Sequence, residues 1–401
     1  DMETASSSID RALEVSRDGA TLTLAAKIRI ARGAALMGDE ATRAAGARAI
    51  EQGVRDAQEA AKALGDKKVM ARQQADVHLQ LGVGLLFLEK KDEAAAAYST
   101  AMGWDPTQVD FGQLFGSLAD KDGTVAPFVD ALSAGAAAFE KRWGKNLSSD
   151  AGLLWWLGYG QYSLGRYEPA IASFEAAVAK FPAYSNAHWY IGLSQYFRGK
   201  EHDLESGRAF RRYADADAVS FAQMVNSSPQ NKAYPGRLLF RLWDSKRFLA
   251  AADLAEVRLI ADRSDPLLWN DVGLMSRDAG DFVRQSKVEG LRSSTEWYER
   301  AWEAYQKALE LDRKPQYLND GAVILHYGLQ RNPELAIAMY DEAEKLALEM
   351  QAKGEFADGE EEIVKIALRD ARNNRKRLKS ALERQKEKKK KGGEDGGDGR
   401  P

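Results

Sequence analysis

The sequence predicts an all-α fold in which antiparallel helix pairs stack as a solenoid, and three observations carry that prediction. The first is a period. Leu157, Gly158, Tyr162 and Gly165 recur 34 residues later as Ile191, Gly192, Tyr196 and Gly199. Self-similarity at this spacing marks helix-turn-helix units that bury their apolar faces on their neighbours. Second, no stretch keeps the strict alternation of a strand, and glycines fall where helices would turn or pack. Third, 401 residues exceed one ordinary core, whereas a stacked array has no such limit because each unit touches only the next. No window approaches ~18 uninterrupted apolar residues, so no membrane-spanning helix is expected.

Taken in order, residues 1–74 read as an N-terminal helical hairpin or cap. Within them, 21–64 hold two alanine-rich patterns broken at Gly38-Asp39, with Asp39 as the expected N-cap. Residues 75–219 form a first array. Its opening unit carries Leu81-Gly82, Ala94, Tyr98, Ala101 and Pro106, with Glu89 standing where the later unit has Gly165. A degenerate hairpin follows at 109–150, with a helix expected over 125–143, and then come the two best-formed units, from Ala151 and from Ser185. Asn226-Ser227-Ser228-Pro229 makes 220–235 a connecting loop.

Residues 236–350 form a second array. Phe248 and Ala251 mark one second helix, and Trp269, Val272-Gly273, Gly280 and Phe282 mark the next first helix. Ala301, Tyr305 and Ala308 fall in register only if about sixteen residues near 283–299 are inserted or extend a helix. A last unit carries Ala336, Tyr340 and Ala343. Residues 351–391 read as a charged, basic helix, and 392–401 offer no apolar residue to bury and are expected to be disordered.

Leu157-Gly158, Gly165, Tyr167, Ala170, Phe174, Ala177 and Pro182 together resemble the tetratricopeptide repeat, and the resemblance covers most of 75–350. Small residues let two helices approach, Phe174 fills the gap between them, and Pro182 ends the second helix. The resemblance implies a right-handed α-solenoid whose first helices line a concave groove. Carried over position by position, that groove receives Trp155, Tyr159 and Tyr162 from one unit and Asn186, Trp189, Leu193 and Tyr196 from the next, then Asn270, Asp271, Asn319 and Asp320 farther on. Trp and Tyr suit an apolar or aromatic peptide. Asn suits a peptide backbone, and Asp a basic ligand. Family members that grip C-terminal carboxylates use Lys and Asn at such positions, so the aromatics here speak against a carboxylate clamp. A helix of the chain itself, the basic one or 109–143, is the alternative occupant.

Catalytic chemistry has little to stand on. Cysteine is absent, which excludes disulfides and thiol catalysis, and His78, His188, His202 and His326 are scattered without a second histidine at i+4. Gly82-x-Gly84 and Gly158-x-Gly160 fall inside expected helices, where they serve packing rather than phosphate binding. No catalytic, cofactor-binding or metal-binding residue is assigned.

Charge is unevenly spread. Residues 365–391 carry +10, residues 392–401 carry −2, and the remainder carries −11 of a total of −3. Nucleic acid or an anionic surface could engage only the basic helix, which reads equally as a solvated helix with a thin apolar stripe at Ile366, Leu378 and Leu382. The first residue is Asp1 rather than Met, from which an exported protein is expected over a cytoplasmic one. The functional expectation is a non-catalytic scaffold for a protein or peptide partner. A self-assembling homo-oligomeric repeat and an accessory region of a larger enzyme are the alternatives, and the oligomeric state stays open.

Overall fold

The computed structural model describes residues 2–119, 125–147, 149–286, 292–354, 356–357 and 359–394, and every regular element among them is a helix. The chain divides into two compact units, Asp1–Arg198 and Gly199–Pro401. The first contains α1 (Met2–Val15), α2 (Gly19–Leu36), α3 (Arg43–Leu64), α4 (Ala71–Phe87), α5 (Lys91–Trp104), α6 (Phe111–Leu118), α7 (Ala126–Trp143), α8 (Ala151–Ser163), α9 (Tyr167–Lys180) and α10 (Ala187–Arg198). In the second are α11 (Asp203–Ala216), α12 (Ala218–Asn226), α13 (Pro229–Asp244), α14 (Phe248–Ala261), α15 (Pro266–Ser286), α16 (Ser294–Leu311), α17 (Pro315–Val323), α18 (Pro333–Lys353) and α19 (Glu360–Glu394). Consecutive helices pack as hairpins, most extensively α2 on α3, α4 on α5, α8 on α9, α15 on α16 and α18 on α19.

One packing device recurs in three of these hairpins. A Cβ on Gly82 would lie 2.8 Å from the Tyr98 ring, one on Gly158 would lie 2.8 Å from Phe174, and one on Gly273 would lie 2.7 Å from Tyr305. The first helix therefore leaves a side chain out so that a ring of the second can lie on its backbone. Sixteen positions separate Gly82 from Tyr98 and Gly158 from Phe174, but thirty-two separate Gly273 from Tyr305. The extra sixteen lengthen α15 to Ser286 and start α16 at Ser294, around residues 287–291, which lie outside those described. Ser293 and Glu296 cap the delayed helix reciprocally.

Three hairpin turns, those of α4–α5, α8–α9 and α13–α14, share a second device. Gly165 is left-handed (φ 71°), and the Arg166 N–H reaches back to the Gln161 carbonyl at 2.9 Å. Glu89 (φ 61°) and Lys246 (φ 59°) take the same conformation, with Lys90 N–H on Leu85 O and Arg247 N–H on Leu242 O, each at 2.9 Å. Two non-glycine residues thus hold a backbone state that favours glycine.

Several sequence expectations change. Asp39 does not cap α3; its carboxylate accepts from Ala41 N–H inside the loop, and α3 begins after Thr42. The loop expected over 220–235 is helical, because Asp217 caps α12 and Ser228 caps α13, leaving a break only at Ser227-Ser228. The first array is expected to run to 219, yet the division between units falls after Arg198. Helix α1 precedes the two patterns expected over 21–64 and packs Ile9 and Leu13 against Leu22 and Leu64.

The basic helix is not simply solvated. Its first half buries Val364, Ala367, Leu368, Ala371 and Leu378 against α17 and α18, while Ile366, expected on that stripe, is exposed. Arg372 and Arg375 pair with Glu344. Arg375 also pairs with Asp341, and Lys314 with Glu360. The tail expected to be disordered starts within α19 and from 395 lies outside the described residues.

Candidate partner-binding site

Three helices, α8, α9 and α10, assemble a row of rings in the first unit. Asp150 caps α8 by accepting from Leu153 N–H, which starts the helix so that Trp155, Tyr159 and Tyr162 fall on one side at i, i+4 and i+7. Trp155 stacks on Tyr159 at 5.6 Å and 11° between planes. Tyr190 of α10 enters edge-on to both, 5.9 Å from Trp155 and 5.2 Å from Tyr159, and reaches Tyr162 at 5.5 Å. It also stacks on Phe174, the ring lodged over Gly158 (5.5 Å, 16°). The row continues through Tyr167, stacked on Phe197 at 5.5 Å. Trp155, Tyr159, Tyr162, Tyr167 and Tyr190 are half-buried and Phe197 is exposed.

Asn186 fixes the start of this row, its Oδ1 accepting from Trp155 Nε1 at 3.1 Å. Of the seven residues expected here, the structure brings Trp155, Tyr159, Tyr162 and Asn186 together. Trp189 and Leu193 are core instead, 1% and 3% exposed. The repeat offset places Trp189 opposite Trp155, whereas α10 turns the next residue, Tyr190, toward α8; a ring stacked on Phe174 gains more than one offered to water. Tyr196 is half-buried and meets Phe197 at 5.4 Å. Tyr190 escapes the sequence pattern because its position in α10 matches Trp156, which is not among the groove positions carried over. Helix α6 reaches one end of the row, with Phe115 5.1 Å from Tyr159 and 5.9 Å from Trp156. Helix α6, within the 109–143 segment expected as an alternative occupant, thus covers part of the surface.

In the second unit the polar positions satisfy one another. Asp271 pairs with Arg258 at 2.5 Å, its carboxyl pushed up by burial against the pull of that guanidinium, and Asn270 stands beside it half-buried. Asp278 accepts from Trp243 Nε1 at 2.7 Å and from Arg277 at 2.9 Å. Asn319 is buried, donating to Asp320 at 3.0 Å and accepting from Asn374 of α19 at 3.5 Å. Burial raises Asp320 and Arg277 opposes that rise. Asp271, Asn319 and Asp320 therefore hold helices together, and none is aligned as an open rung for a peptide. Among the described residues no three His, Asp or Glu gather as a metal site, and no helix is long and apolar enough to cross a membrane.

Helical hairpins with a ring laid on a first-helix glycine, joined by left-handed turns, define an α-helical repeat protein. More particularly, the pairs α4–α5 and α8–α9 resemble tetratricopeptide repeats, with Leu-Gly, the turn, Ala, the aromatic and Ala at that repeat's packing positions, and α15–α16 shares the glycine, the aromatic and the alanines. No family model and no curated protein matches the chain. Among solved structures it is similar to the C-terminal part of a TPR repeat-containing protein from Cytophaga hutchinsonii, at 12% identity over 66% of this chain and 95% of that one, with a TM-score of 0.32. It is also similar to yeast Tom70 (12%, 88% and 65%, 0.27) and to a thermophilic TPR protein from Thermus thermophilus (16%, 70% and 96%, 0.19).

Proposed function

We propose that the chain is a non-catalytic protein-interaction scaffold whose first unit captures a partner peptide or helix carrying large apolar or aromatic side chains. The supporting observation is the continuous row Trp155, Tyr159, Tyr190 and Tyr162, half-buried and braced ring against ring, with exposed Phe197 at its end. Such rings offer large contact area with few rotatable bonds, and each Tyr adds a polar tip. Because neighbouring rings and Asn186 already hold them, association orders little in the scaffold. The basic residues of α19 lie outside this reading; those nearest its start are engaged with carboxylates.

Selection of a phage-displayed peptide library on the purified chain tests this reading. Enriched sequences should be rich in Phe, Trp, Tyr and Leu, and should bind at least tenfold more weakly to a Tyr162→Glu, Phe197→Glu variant of unchanged circular dichroism. Enrichment of charged sequences that ignore this variant would refute the proposal.

A further inference from the structure

The second unit holds a cavity of about 690 Å3 between α11 and the start of α14. Leu204, Leu254, Phe248 and Phe282 provide apolar wall, with the two rings 6.1 Å apart. Arg208, Arg211, Arg212, Lys246 and Arg247 surround it, against one carboxylate, Asp253. Arg211 is committed to Asp215 at 3.2 Å and approaches Asp253 at 3.9 Å. Arg208 and Arg212 are exposed at the rim and make no ion pair among the described residues. Arg247 faces a different problem. Its Nη1 lacks a hydrogen-bond partner, while the buried Asp203, 2.8 Å from Arg241, lies near enough for its charge to act on Arg247 as well.

We propose that this cavity binds a small carboxylate with an apolar tail, such as a medium-chain fatty acid. The volume lies in the range of sites that enclose small molecules. An apolar wall under an excess of guanidinium groups matches a molecule with a tail at one end and a negative charge at the other. Gly207 keeps the space open, since a Cβ there would meet only Leu242, at 3.8 Å. The site uses none of the rings proposed for peptide capture, so each proposal stands or falls without the other.

Isothermal titration of the full chain with decanoate, with decanol and with an acetylated peptide ending in Leu-Leu decides the matter. Decanoate should bind one to one and at least tenfold tighter than either of the others. Arg208→Gln with Arg212→Gln should weaken it at least tenfold, and Gly207→Phe should abolish it by filling the space, while Tyr162→Glu changes nothing. No saturable decanoate binding, equal binding of decanol, preference for the peptide, or indifference to the arginine pair in a folded variant would each overturn the proposal.

Discussion

Gly158 of α8 and Phe174 of α9 approach so closely that a methyl group on Gly158 would stand 2.8 Å from the aromatic ring. Helix propensity alone favours Ala over Gly by about 1 kcal/mol. Overpacking a filled core costs about 1–3 kcal/mol. Gly158→Ala is therefore expected to lower stability in urea denaturation, and Phe174→Leu is expected to cost less in that background than in the wild type. A neutral or stabilising Gly158→Ala would mean the ring moves aside freely.

The turns give a pair of changes of opposite sign. Glu89 holds a left-handed backbone at φ 61° where Gly165 sits at φ 71°. An L-residue in that state loses about 1–2 kcal/mol relative to glycine. Glu89→Gly should raise the thermal midpoint and Gly165→Ala should lower it. Scanning calorimetry of the two variants reads both shifts.

His78 couples stability to pH. Burial, helped by the positive charge of Arg142, pushes its imidazolium down to about 4 from 6.5. The unfolded chain then binds the proton more readily than the folded one between those values. Its contribution is complete above pH 6.5 and is lost as pH falls toward 4, with an upper limit of roughly 3 kcal/mol. Since the side chain is only partly buried, a smaller value is expected. The difference in denaturation free energy between the wild type and His78→Phe should change with pH across that window; a constant difference would exclude the coupling.

Truncation before Glu360 tests the role of α19. A solvated helix could be removed without effect. Here removal strips Ala371 and Leu378 from a core that includes Leu318, Leu325 and Tyr340, strips Val364 and Leu368 from Ala347, and leaves Glu344 without Arg372 and Arg375. The truncated chain should lose the stability of its second unit while the first melts as before, as hydrogen exchange resolved by residue would report.

Much of the fold is legible in the sequence because packing at helix pairs depends on residue size at fixed spacing. Leu157-Gly158 and Phe174 name a hairpin, and the register of Ala301, Tyr305 and Ala308 gives the length of the insertion. The 220–235 segment misleads because Asn, Ser and Pro serve loops and helix caps alike; here Asp217 and Ser228 turn that chemistry into helix starts. On the candidate site, Trp155, Tyr159, Tyr162 and Asn186 are readable from the offset. Trp189, Leu193 and Tyr190 are not, because α10 buries Trp189 in the core and turns the next residue, the half-buried Tyr190, toward α8.

Local spacing and side-chain volume suffice for the all-helical class, the pairing of neighbouring helices and the positions where glycine must face a ring, so the chain carries these in its sequence. Which aromatic rings face out, that the α19 stripe is a cap, and that Arg247 and its neighbours enclose a cavity emerge only once the helices are assembled. Those outcomes depend on the rotation and approach of helices distant in the chain, which only the competition for burial among all of them resolves.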